Sequence, residues 1–426
     1  MRNPTLYAAL ADFAADAALT LGEQLAAGAE VPFELEPATR GRGPALYCYR
    51  ALTEVFIEER QALLQALTSY APAAGALAGV PGLEHYLELR GLMPIPRTPR
   101  EQADAALQVM LEQVFAQRSE FTLDRRRFEQ AYAELEATVY EGRSMTVVIT
   151  PLLGLALDPD TVELPLGEGL SLVRGETLED APAEAVWGTS GIDAAAEPNV
   201  LALLTVDHAR IGQPPLSLAR SRFRRLLTAL RLFERGGYAA GPLAFVRTDR
   251  GPWRSAALGG SGRPRLVTLL SAAHEDEFRA FSSLVNRRGP GSGGAGGELA
   301  WALARFEMGC ERLAPFEALS DHLLALRALL EPEGPQSGRL PGRVAVLCAT
   351  PAERARLVER VALAIELERS VITGAPVGQT GADAVAGELC EHLRALLRDV
   401  VCGHLDSDLR AVADELLGEA VSLAAS

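Results

Sequence analysis

Four side chains near the C-terminus carry the donor types of a zinc site. Cys390-Glu391-His392 and Cys402-Gly403-His404 each place a thiol two residues before an imidazole, and thiolate sulfur and neutral imidazole are the ordinary ligands of zinc. On a helix an i, i+2 offset points the two side chains to opposite faces, so neither pair converges on one ion, and no metal is expected there. The same segment holds an Arg-x5-His spacing, Arg398 to His404. Guanidinium steadies phosphate charge and imidazole exchanges a proton near neutral pH, the minimum equipment of a metal-independent ribonuclease. Six helical residues set these two side chains roughly 120° apart, so only a break near Gly403 lets them meet.

A second group is cationic. Arg220, Arg224, Arg231 and Arg235 line one face of a helix expected over 217–235, whose apolar stripe is Ala219, Phe223, Leu226, Leu230 and Phe233. From Arg220 to Pro290 there are fourteen Arg against five acids, a local balance of +9 in a chain of net charge −15, which leaves −24 for the rest. Tyr238, Phe245 and Trp253 lie among these arginines, the mixture expected where RNA or single strands bind. The competing expectation is that the arginines pair with the acidic remainder of the chain across an interface.

Other chemistries lack their parts. All 41 basic residues are Arg, which excludes P-loop, Schiff-base and pyridoxal mechanisms and protein kinases, since each needs a lysine. Gly291 to Gly296 reads G-x-G-x-x-G, but the segment before it is helical rather than a strand, so it reads as linker. No G-x-S-x-G elbow and no H-E-x-x-H pair occurs. The five cysteines, Cys48, Cys310, Cys348, Cys390 and Cys402, have no C-x-x-C pair and read as reduced, mostly buried thiols. No apolar run approaches the roughly 20 residues that cross a bilayer, and Asp12 and Asp16 interrupt any export signal. A cytoplasmic protein with no membrane partner and no cofactor is the expectation.

The elements that must position these residues divide the 426-residue chain into three parts. Three-to-four apolar spacing predicts helices over Leu6–Ala26, Leu46–Ser69, Glu101–Arg118 and Asp124–Tyr140, a helical N-terminal domain over 1–143, with Asp124 as an N-cap. From Met145 the pattern shifts to short β-type segments, at 146–149, 153–157, 162–164, 170–173, 200–206 and 243–247, giving a mixed α/β middle domain over 144–288. A Gly-rich linker, 289–297, leads to a helical bundle over 298–426. The fold class is α+β, mainly α.

The stretch from Trp301 to about Ser422 resembles the Apea-like HEPN family of helical domains, known from prokaryotic RNases and defence proteins. The likeness lies in Ala304-Arg305-Phe306-Glu307, in Leu323 to Leu330, in Arg343-Val344-Ala345-Val346-Leu347, and in Leu367-Glu368-Arg369-Ser370-Val371-Ile372-Thr373-Gly374. The resemblance implies a HEPN-like bundle that forms a homodimer and handles RNA, with Arg369 as a phosphate contact. Active relatives use a His a few residues after this Arg. Here Thr373 precedes Gly374 and no His follows, and Arg327 stands where the relatives' helix carries Glu. Threonine does not titrate in the useful range. The expectation is therefore a non-catalytic, degenerate HEPN-like protein that binds RNA or a protein partner, possible in a prokaryotic defence or stress setting. The alternatives are a metal-independent ribonuclease using Arg398 and His404, and an acidic scaffold with no nucleic-acid role.

Overall fold

The computed structural model describes residues 2–38, 46–92, 94–116, 118–178, 181–188, 198–207, 215–249, 251–259, 267–288, 297–373 and 381–425. Among the described residues helix accounts for 61% and strand for 14%, so the α+β, mainly α, architecture holds. Among the described residues no helix is long and apolar enough to cross a membrane. The Gly-rich stretch 289–296 lies outside the described residues, and Gly297 already belongs to the next helix.

The N-terminal part is a helical unit with its own core. It contains α1 (Pro4–Ala26), the hairpin β1 (Phe33–Ala38) and β2 (Leu46–Ala51), then α2 (Thr53–Glu58), α3 (Gln61–Gln65), α4 (Tyr70–Ala78), α5 (Leu83–Leu89), α6 (Pro99–Val114) and α7 (Arg125–Glu141). The helix expected over Leu46–Ser69 is corrected: its first residues are an antiparallel strand, and two short helices follow. Alternation in Leu46-Tyr47-Cys48-Tyr49 suits a strand as well as a helix, and pairing with β1 decides between them. The expected Asp124 cap is in place, and the structure adds a second on α6. Asp124 accepts a hydrogen bond from the Arg126 amide at 3.0 Å, and Thr98 and Glu101 close a capping box on α6. Leu10, Phe13 and Leu21 of α1 pack with Leu77, Leu107, Leu111 and Leu135 in one buried cluster.

The middle part is a twisted antiparallel sheet of order β10-β9-β3-β7-β6-β5. Its strands are β3 (Met145–Leu153), β5 (Glu163–Gly167), β6 (Leu170–Arg174), β7 (Val200–Asp207), β9 (Leu243–Thr248) and β10 (Arg254–Ala257); β8 (Ala239–Ala240) adds to the end of β3. A separate parallel pair joins β4 (Leu155–Leu157) to β11 (Thr268–Leu270). Side-chain alternation gives the sheet two apolar faces. Ile149, Leu201 and Phe245 face α8 (Ala183–Trp187), whereas Val148, Leu204 and Ala244 face the other way, into the largest core.

That largest core does not stop at the middle part. It runs from the sheet through α9 (Pro215–Phe233) and α10 (Glu275–Arg288) into the C-terminal helices: α11 (Gly297–Glu311), α12 (Pro315–Leu330), α13 (Leu340–Cys348), α14 (Arg354–Ile372), α15 (Ala382–Cys402) and α16 (Leu409–Ala425). Phe223 and Leu226 of α9 share it with Leu323 and Leu326 of α12 and with Leu393 and Leu397 of α15. Residues 226–232 of α9 are buried without interruption, so this turn of the helix is enclosed on all sides. Sheet and bundle are thereby joined through one helix.

Candidate polyanion face and a buried thiol–imidazole cluster

The arginine face of α9 is divided along its length. Arg220 and Arg224, one turn apart near the start of the helix, are exposed. Arg220 donates to the carbonyl of Ala257 at the end of β10, and among the described residues no carboxylate lies within ion-pair distance of Arg224. Arg231, on the same stripe, is a correction: it is 3% exposed. It pairs with Glu311 of α11 at 3.0 Å and donates to the Tyr238 carbonyl at 3.1 Å. Arg235 lies just beyond the helix, exposed, with Glu391 of α15 at 3.6 Å. The reason for the division is the enclosure of residues 226–232, where α11 and α15 close over the stripe. Arg231 therefore docks the bundle, while Arg235, exposed past the end of the helix, lies beside Glu391.

Glu307 sits at that seam, hydrogen-bonded to the Thr228 hydroxyl. Burial raises its carboxyl above the usual range, against the opposing hydrogen bond from Thr228 and the attraction of Arg231. A carboxyl raised in the folded state stabilises fully below its unfolded value of 4.5 and loses that contribution as pH climbs through the raised value. Glu307→Gln is accordingly expected to flatten the decline of stability from pH 4.5 towards neutrality. Urea midpoints measured across that interval in both proteins check it; identical slopes would remove Glu307 as the cause.

The residues that carry the resemblance are divided between the core of the bundle and its surface. Arg369 is exposed in the last turn of α14, its carbonyl accepting from Thr373 at 3.0 Å. Among the described residues no hydrogen bond, ion pair or ring contact joins a histidine to Arg369. Gly374 lies outside the described residues. Arg327 pairs with Glu368 at 2.8 Å, and both are largely buried, so the arginine at the relatives' acidic position is balanced by the neighbour of Arg369. Arg398 and His404 are both exposed, and no contact joins them among the described residues. The helix does break where the spacing requires, with Gly403 left-handed at φ 79°, yet His404 turns to Asp399 at 3.7 Å.

The helices bring together a set that local spacing does not reveal. Cys310 from the end of α11, His322 from the middle of α12 and Cys390 from α15 have ligand atoms all within 4.8 Å of one another. His322 is 3% exposed, and among the described residues neither ring nitrogen meets hydrogen-bond geometry, although the imidazole lies close enough to Cys390 to favour its thiolate. Its ring lies on the bare backbone of Gly309, where a Cβ would come within 2.4 Å of Nε2. Arg394, buried beside the cluster, donates to the Arg231 carbonyl at 2.7 Å and to Cys390 Sγ at 3.6 Å. Cys390 is held well below the usual thiol range, chiefly by a hydrogen bond from Cys310, then by His322 and Arg394, against burial. Cys310 is pushed up, by the same shared hydrogen bond and by burial.

No family model, curated protein or solved structure matches the chain. Its function therefore has to be argued from its own geometry. His392, the sequence neighbour of Cys390, is not part of the cluster, in keeping with the i, i+2 offset. The true partners stand eighty and sixty-eight residues upstream in the sequence, and Cys-x11-His is no recognised ligand spacing. Only the crossing of three helices makes the set.

Proposed function

We propose that this is a non-catalytic binding protein that holds a polyanion, RNA first, against the exposed start of α9. The observation that carries the reading is Arg224, exposed, outside ion-pair distance of any carboxylate among the described residues though within reach of the Glu307 charge, and one turn from Arg220. Guanidinium groups one turn apart match successive phosphates through forked donors. Arg369 of the bundle is a further exposed guanidinium in this reading, and the HEPN-like resemblance supports RNA as the polyanion and a homodimer as the working form. The exposed separation of Arg398 from His404 supports binding without cleavage.

A second reading is a protein-interaction scaffold without a nucleic-acid role. It is favoured by Arg231 and Arg235, whose charge is met by Glu311 and Glu391. One experiment separates the two. Binding of single-stranded RNA, followed by fluorescence anisotropy over a salt series, is expected to weaken as salt rises, and Arg220→Ala with Arg224→Ala is expected to reduce the salt slope by about 1–2. Affinity that is absent, or indifferent to salt and to both substitutions, sinks the RNA reading and leaves the scaffold. RNA cleaved in the presence of a chelator and spared by His404→Ala would instead establish the nuclease.

A further inference from the structure

The Cys310–His322–Cys390 cluster lies inside the bundle and is independent of the arginine face. The His322 imidazole is 3% exposed, and among the described residues neither ring nitrogen meets hydrogen-bond geometry; buried groups of this kind call for a partner. Gly309 supplies the space into which this imidazole is pressed, so the ring is fixed in place rather than left loose. Beside it stand two sulfurs, and the three donors come from three helices that also meet through apolar contacts, through the Arg305 and Arg312 pairs with Asp321, and through Arg394 over the Phe306 ring.

We propose that Cys310, His322 and Cys390 bind a zinc ion that clamps α11, α12 and α15 together. In tetrahedral zinc the donor atoms are separated by about 3.6–3.8 Å, given Zn–S near 2.3 Å and Zn–N near 2.0 Å. The present separations, all within 4.8 Å, need about 1 Å of contraction, within reach of χ1 adjustments on helices already in contact. Two thiolates and a neutral imidazole balance the ion's double charge, and thiolate softness selects zinc over calcium or magnesium. Each thiol that binds as a thiolate gives up its proton to solvent, and no electron is transferred. Arg394 Nη2 at 3.6 Å from Cys390 Sγ provides the outer hydrogen bond that orients a thiolate ligand. Three protein donors leave the fourth position to water, and the partial exposure of both cysteines admits it.

The full-length chain, purified without chelator, is expected to contain close to one zinc per molecule by elemental analysis. Exchange with Co(II) should yield a thiolate-to-metal charge-transfer band, absent in Cys310→Ser with Cys390→Ser and retained in Cys402→Ser, which lies outside the cluster. Gly309→Ala, which keeps all three donors but displaces the imidazole, should weaken Co(II) binding by about 10–100-fold. Wild-type protein that carries no zinc and gives no thiolate band with Co(II) overturns the proposal, whatever the variants do. So does a Cys310–Cys390 disulfide in freshly isolated protein, or zinc retained at full stoichiometry after both cysteines are replaced.

Discussion

Stranding the Arg343 guanidinium by Glu333→Ala together with Asp414→Ala is expected to destabilise the protein by about 3 kcal/mol, near the lower end of the range for an unpaired buried charge. Arg343 of α13 has no exposed side-chain surface. It is gripped on one side by Glu333 at 2.9 and 3.0 Å, on the other by Asp414 of α16 at 2.8 and 2.9 Å, and it donates to the Leu330 carbonyl. Both carboxylates are part-exposed. The asymmetry decides the outcome: acids freed by removing the arginine can return to water, whereas an arginine freed by removing the acids cannot. Arg343→Met should therefore cost less than the double replacement, and urea unfolding of the three proteins tests the order. Equal losses would mean that packing volume, not charge, matters at this position. The same pairing ties stability to pH. Glu333 is lowered to about 2, chiefly by its hydrogen bond with Arg343, so its contribution is present above the ordinary carboxyl value and is lost as pH falls towards 2.

Arg90→Ala is expected to loosen the N-terminal unit from the sheet at a cost of about 3–5 kcal/mol. Arg90, 2% exposed at the end of α5, pairs with Glu134 of α7 at 3.1 Å and with Asp249 at 3.3 Å, beside its 3.4 Å bond to the Thr248 carbonyl. Asp249 follows β9, and it also accepts from the Met145 amide at 2.9 Å, so one guanidinium spans the two cores. Arg254 of β10 crosses the same boundary to the Leu89 carbonyl at 2.9 Å, close enough to Gly91 that any side chain there would collide with it. Without Arg90, the mostly buried carboxylates of Glu134 and Asp249 lose the guanidinium they share. The penalty is largest where both are ionised, and acid, by neutralising them, relieves it. Denaturation at pH 7 should show one transition separating into two, and the deficit should shrink at pH 4. A deficit unchanged by acid would place the loss in packing rather than in charge.

Because the N-terminal core is separate and the sheet and bundle share theirs, unfolding units need not follow the three parts expected from sequence. That expectation drew a boundary at the Gly-rich stretch because glycine cannot contribute to a core. The helices on either side of that stretch, α10 and α11, nevertheless enter one buried cluster. Chain composition marks where a segment cannot pack; it does not say what its flanks pack against.

Local periodicity determined a good deal here. Strands β3 to β7 and β9, helix α9 with its apolar stripe, the Asp124 cap and the helical character of the C-terminal part follow from period and capping, because these patterns are set by residues within one or two turns of each other, whereas β8, β10 and β11 did not show in the pattern. The strand at Leu46 did not follow, since its partner lies across a hairpin. Which arginines reach solvent was decided only by tertiary packing: Arg220, Arg224 and Arg231 share a stripe, yet α11 and α15 bury the third and leave the first two exposed. The thiol–imidazole cluster is the clearest case. Sequence determined that Cys390 and His392 point apart, because a helix fixes that angle. That Cys390 meets Cys310 and His322 was fixed by how three helices cross, which depends on side-chain contacts spread over the whole core and on no local spacing.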